Sequence, residues 1–228
     1  MSSSRPRPGI WVFDCDGVLL DSNGVKTQAF REVAMRYGVE IADEVVRHHL
    51  EHGGISRHVK LRRIFDELLH RPDEPGEFDE LLRRFATASR RGLESAAVEP
   101  DAAALLAELA DAGHVLHVVS GGLEEEVRWV LDRKRLGKYF TSVRGSPTTK
   151  WQHVDDLVAH RSAASPAVLV GDSREDLRVA LEHGLTAVFV SQWSEFHDWS
   201  QYVHSHPSIV HVENLGELQS RLVGGCLP

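Results

Sequence analysis

Cysteine is almost missing from this chain of 228 residues: Cys15 and Cys226 are the whole supply. Two thiols so far apart do not suggest the disulfide framework that small secreted folds depend on. Long apolar runs are missing too, and none approaches the ~20 residues that a helix needs to cross a bilayer. There is no excess of positive charge. With 34 acidic against 26 basic residues the net charge is −8, which argues against a general nucleic-acid binder and for a well-dissolved, cytoplasmic protein. Internal repeats are absent, and low-complexity sequence is confined to residues 1–9. That stretch is rich in Ser, Arg and Pro without an apolar core, so it reads as a disordered lead-in and not as a signal peptide. What remains is ordinary for a globular protein, 42% hydrophobic and 26% charged, and long enough for one α/β domain with a smaller insert.

The stretch that organises the rest is I-W-V-F-D-C-D-G-V-L-L-D-S, residues 10–22. Ile10 to Phe13 form a short apolar run that suits a strand buried on both faces of a parallel sheet. The run ends abruptly in Asp14, Cys15, Asp16 and Gly17. In open α/β sheets ligands bind at this C-terminal end of the strands. Two carboxylates one residue apart are costly there unless a cation sits between them, and Mg²⁺, which prefers oxygen ligands, would relieve the repulsion. An acidic turn in which Asp14 merely caps something fits the same letters. Gly17 lets the chain turn where a side chain would crowd the site. Cys15 reads as a small apolar filler.

Helical patterns follow without interruption from residue 22 to residue 97. Helices are expected over residues 23–37, with Asn23 as cap and Val25, Ala29 and Val33 in its apolar stripe, and over 43–52, 56–70 and 78–93. Some 75 residues of helix are long for a link between two strands and read as an inserted helical cap. From residue 98 helices and strands alternate. Strands are expected at 115–119, 140–143, 167–170, 186–190 and 209–212, with helices at 101–112, 124–131, 152–160, 176–183 and 214–223. Such alternation means βαβ units and a parallel sheet. The expected organisation is a Rossmann-like α/β core, residues 10–21 and 98–228, with helices on both faces and an all-α cap at 22–97.

Three more polar clusters each follow an expected strand, so a parallel sheet would bring them to the rim that holds Asp14 and Asp16. Ser120 and the backbone N–H groups after it, beginning at Gly121, can hold an anionic oxygen; Ser-Gly-Gly is also a common turn. Lys150 follows a Gly/Pro/Thr loop, and a lone lysine at a helix start is usually a solvated surface charge. Asp172 directly follows a buried run, and helix capping accounts for Ser173 and Asp176 but not for Asp172.

Taken together, F-D-C-D-G-V-L-L-D-S, V-V-S-G-G, Lys150 and G-D-S-R-E-D resemble the four motifs of the haloacid dehalogenase superfamily, in its phosphatase branch with a helical cap. The resemblance runs from about residue 10 to residue 190. It implies that Asp14 is a nucleophile forming an aspartyl-phosphate. It makes Asp16 the general acid for the leaving alcohol and then the base for water. It implies that Mg²⁺ is held by the Asp14 carboxylate, the Asp16 backbone carbonyl and the Asp172 carboxylate, with Asp176 contributing directly or through water. Ser120 and Lys150 would hold phosphoryl oxygens. Gly54 and Arg57 resemble a cap loop that contacts substrate, with Lys60 ranked behind Arg57; a surface arginine at a helix start is the competing reading. Dehalogenases of the superfamily lack an acid two places after the nucleophile, so Asp16 speaks for a phosphate ester. The implied substrate is a small phosphorylated metabolite, a sugar phosphate for preference. A phosphosugar mutase, a phospho-accepting receiver module and a non-catalytic binding protein are the alternatives. The His48–His52 pair reads as a solvated helix face, and Trp193, Phe196 and Trp199 as core packing or an oligomer contact.

Overall fold

The computed structural model describes residues 9–52, 55–159 and 165–225. Gly54, the lead-in up to residue 8 and Cys226 lie outside the described residues. Six strands form one parallel sheet: β1 (Ile10–Phe13), β2 (Val115–Leu123), β3 (Ser142–Ser146), β4 (Ala167–Gly171), β5 (Thr186–Val190) and β6 (Val210–Val212). They lie in the order β3-β2-β1-β4-β5-β6. After β3 the chain crosses back over β2 and β1 to lay β4 against β1, so the topological switch falls between β1 and β4. That is where a doubly wound sheet opens a crevice beyond its strand ends.

Side-chain alternation explains how both faces are filled. Trp11 and Phe13 join one cluster with Val118, Val170 and Val188, while Val12 points the other way, to Leu169, Ala187 and Phe189. The first face is covered by α5 (Ala102–Asp111), α6 (Glu124–Arg133) and α10 (Leu215–Val223). The second is covered by α7 (Lys150–Val158) and α8 (Arg174–Glu182). Phe196 and Trp199, the latter opening α9 (Trp199–Ser205), pack on Phe189, so these aromatics serve the core.

Between β1 and α5 come α1 (Asn23–Ala34), α2 (Val39–Glu51), α3 (Arg57–Arg63) and α4 (Glu77–Ser95). Phe30, Val33, Val45, Leu61, Ile64, Leu81 and Phe85 give these helices a hydrophobic cluster of their own. Leu61, Ile64 and Phe65 keep the third helical pattern on one buried face, but the α-helix stops at Arg63 and continues as a π-helical turn over Ile64–Leu68.

Candidate active site

The two parallel ladders on β1 set the site. Phe13 pairs with Val118 on one side and Val170 on the other, and the Asp14 N–H still donates to the Val170 carbonyl at 2.9 Å. Asp14 therefore leaves the sheet beside β4, and Asp172 leaves β4 one residue later. Gly171 lets Asp176 come in beside them: a Cβ there would lie 2.2 Å from the Asp176 Cβ. Gly17, at φ +79°, turns the chain back where a Cβ would meet Asp172 Oδ2 at 2.2 Å and Asn23 Nδ2 at 2.3 Å.

Four of the expected residues meet as a buried knot. Lys150 Nζ lies 2.8 Å from Asp14 Oδ2 and 2.5 Å from Asp176 Oδ1. Oxygens of Asp14, Asp172 and Asp176 lie within 4.8 Å of one another. The surface-lysine reading of Lys150 is thus overturned: it opens α7 with its ammonium buried. Burial works against that charge, yet Asp14 and Asp176 hold the ammonium above its ordinary value. The acids show the converse. Burial pushes Asp14 up to about 7 despite Lys150, with Asp176 and Asp16 adding, and burial with the charges of Asp14 and Asp176 pushes Asp172 well up. Three oxygen donors sharing one buried ammonium are under-compensated, and a hard divalent cation fits that donor set. Asp176 is the most committed of the three, because its second oxygen accepts from both the N–H and the Oγ of Ser173 in the cap of α8.

Ser120 is buried and lies inside β2, which runs four residues past the expected end at Val119. The strand pairing with β3 shifts register between Val119 and Leu123, and the Ser120 hydroxyl accepts from the Gly122 N–H at 3.0 Å. Ser120 and Gly121 line one cleft with Asp14, Asp16 and Asp172.

Asp16 faces the cleft from a frame the sequence did not reveal. Ser22 Oγ donates to its Oδ1 at 2.5 Å, and Lys26 Nζ stands 3.8 Å from the same oxygen. Asn23 was expected to cap α1, but Ser22 occupies the cap position, and the Asn23 amide donates to Asp172 Oδ2 at 2.6 Å and to the Trp193 carbonyl at 2.9 Å. The missed signal was the phase of α1. Its buried face runs through Lys26, Ala29, Phe30 and Val33, not through Val25, and a lysine on a buried face would have marked Lys26.

Arg57 lines the cleft but is not a surface arginine. Both nitrogens of its fork are taken by the Glu126 carboxylate, Nη1 to Oε1 at 2.7 Å, and the guanidinium lies 4.7 Å from the Phe85 ring centre. The pair joins α3 to α6. His48 and His52 stack on each other at 4.2 Å, while the intervening His49 lines the cleft.

Comparison with known proteins agrees with this geometry. A phosphoglycolate phosphatase of Pseudomonas fluorescens is 26% identical over 227 residues, covering 96% of this chain and 80% of its own. A tyrosine-protein kinase, PtkA of Mycobacterium tuberculosis, is 26% identical over 234 residues, covering 97% and 75%. The crystal structure of a β-phosphoglucomutase from Clostridium difficile superposes with a TM-score of 0.75 over 96% of each chain at 13% identity, a likeness of fold. The model of the haloacid dehalogenase-like hydrolases matches residues 11–190, which contain every side chain of the buried knot, and the chain belongs to that family.

Proposed function

We propose that the protein is a Mg²⁺-dependent phosphatase of a small phosphorylated metabolite, working in the cytoplasm through an aspartyl-phosphate. The observation that carries this reading is the knot of Asp14, Lys150, Asp172 and Asp176 at the strand ends. Residues 10–21 and 98–228 are taken as the catalytic core and 22–97 as a helical cap over it, in keeping with the separate hydrophobic cluster of the four helices. Among the described residues no helix is long and apolar enough to cross a membrane.

In the proposed reaction Asp14 attacks phosphorus through one carboxylate oxygen as the bond to the ester oxygen breaks. Asp16 gives its proton to the departing alkoxide. Asp16, now a carboxylate, takes a proton from water as that water attacks phosphorus, the bond to Asp14 breaks and inorganic phosphate leaves. Ser22 and Lys26 orient Asp16 for both halves. Lys150, with Ser120 and the Gly121 N–H, offers donors to the phosphoryl oxygens, since phosphoryl transfer asks a protein mainly for positioning and charge neutralisation. Mg²⁺, held by Asp14, Asp172, the Asp16 carbonyl and Asp176, would supply further neutralisation of the phosphoryl charge.

Asp14→Asn tests the assignment. Phosphate release from p-nitrophenyl phosphate is expected to vanish while the fold is kept, and retained turnover in that variant would end the nucleophile role. Release by the wild type without an added bisphosphate separates hydrolysis from mutase chemistry, in which the phosphoryl group returns to the substrate.

A further inference from the structure

The cleft contains a buried cation for which the reaction above has no use. Lys60, in the last turn of α3, is 3% exposed and lines the cleft that holds Asp14 and Ser120. Among the described residues its polar contacts are both with His49: the ammonium lies 2.7 Å from Nδ1 and donates to the backbone carbonyl at 3.5 Å. The Phe30 ring centre is 5.6 Å away. Lys60 forms no ion pair among the described residues, although the other cations nearby do: Arg57 with Glu126, Lys150 with Asp14 and Asp176, Lys26 with Asp16.

The partner of Lys60 is itself incomplete. With Nδ1 accepting from Lys60, the network assigns the imidazole proton to Nε2. That N–H has no hydrogen-bond partner among the described residues and stands 4.0 Å from Glu195 Oε2. Both Glu195 oxygens are in turn within reach of the Thr27 hydroxyl, at 3.0 and 2.8 Å. A buried ammonium with only a neutral acceptor is an unfavourable arrangement, and an incoming anion is what completes it.

We infer that the substrate carries a second anionic group besides the phosphoryl it gives up, a carboxylate or a second phosphate, and that this group enters the cleft beside Lys60 and pairs with its ammonium. The inference rests on the phosphatase reading and narrows its substrate class. A neutral sugar tail offers hydroxyls only and leaves Lys60 with no counter-charge in contact, Glu195 acting on it only from a distance. It also reverses the order of the two cap cations expected from the sequence: Arg57 is already neutralised, whereas Lys60 is not. Burial holds the Lys60 amine down at about 7, with Lys150 adding and Glu195 opposing, so an anion placed beside it restores its charge near neutral pH.

The test is a binding measurement that does not depend on turnover. Asp14→Asn protein in magnesium buffer is titrated calorimetrically with 3-phosphoglycerate against glycerol 3-phosphate, and with fructose 1,6-bisphosphate against fructose 6-phosphate. The member with the second anion in at least one pair is expected to bind roughly 10- to 100-fold more tightly, the span of a hydrogen bond to a charged group. The pair that shows it tells carboxylate from phosphate. Adding Lys60→Met is expected to abolish the preference, and Lys60→Gln serves if the Met variant does not fold. Equal Kd values within both pairs, binding by none of the four, or a preference that survives loss of Lys60 overturns the inference. Phosphate release from p-nitrophenyl phosphate by the wild type is scored separately. Release without the preference sinks only the second anion, and the preference without release sinks only the hydrolase.

Discussion

Asp16 must give a proton in one half of the proposed reaction and take one in the other, and its surroundings are built for a carboxyl that stays put. The Ser22 hydroxyl at 2.5 Å fixes one oxygen, and the Lys26 ammonium at 3.8 Å keeps a positive charge beside it. An Asn at this position keeps the frame and loses the proton. p-Nitrophenolate leaves without help, so Asp16→Asn is expected to release one equivalent of nitrophenol in a burst. It then stalls as the phosphoenzyme, because water is no longer deprotonated. Steady-state turnover should fall by about 10²–10⁴. Rapid-quench measurement of nitrophenol against phosphate checks this, and equal rates for both products would remove Asp16 from the second half. Lys60 gives a second prediction at the same scale. Its folded-state pKa, about 7, lies below the unfolded lysine value, because burial and Lys150 oppose the charge while Glu195 favours it and His49 faces it as a neutral acceptor. At pH below 7 the amine is charged in both states and the folded state bears the whole desolvation cost. That cost disappears as pH climbs from 7 towards the unfolded pKa. Lys60→Met should therefore raise Tm clearly at pH 6 and hardly at pH 10, and a gain that is flat with pH would show that Lys60 is not charged when buried.

Between elements, the Arg57–Glu126 fork ties α3 to α6, buried at both ends and backed by the Phe85 ring of α4. Removing Glu126 strands a desolvated guanidinium, a change that typically costs ~3–5 kcal/mol. Glu126→Leu should lower stability markedly, while adding Arg57→Met to it should recover most of the loss. Denaturant melts of the wild type, Glu126→Leu, Arg57→Met and the double variant close the cycle, and additive losses would mean that the fork carries no coupling. This tie also shows what the sequence could and could not disclose. Asp14, Lys150 and Asp172 were legible because each follows a strand, and a parallel sheet carries strand ends to one rim whatever the helices do. The strands themselves were legible from short apolar runs, with β5 matching at both ends. Arg57 pairs with a residue 69 positions away, and no local pattern encodes which acid meets it. Nor was the extension of β2 through Ser120 to Leu123 readable, since Ser-Gly-Gly spells a turn unless the pairing with Ser146 is known. Asn23 went the same way, for a capping residue and a cross-link to Asp172 are written with the same letter.

For the molecule as a whole, the site is held at the expense of stability. Asp14, Asp172 and Asp176 gather their carboxylates within 4.8 Å beneath the cleft, and Lys150 answers only part of the charge. Any cation that binds this folded arrangement and not the unfolded chain raises stability by mass action, about 2.7 kcal/mol at a hundred times its Kd. Mg²⁺ titration should accordingly raise Tm, and a chelator should remove both the gain and the phosphatase activity. Asp172→Asn separates the two effects. It takes one charge out of the cluster and keeps a side chain of the same shape, so the chelated variant should melt above the chelated wild type. The same variant should lose most of the Mg²⁺-dependent rise and most of its turnover, because functional sites commonly keep a repulsion that stability alone would discard. Thermal melts of both proteins across a Mg²⁺ series decide it. If the chelated variant melts lower than the chelated wild type, the bond from Asn23 to Asp172 at 2.6 Å outweighs the repulsion. The carboxylate cluster would then be a brace of the fold before it is a seat for a cation.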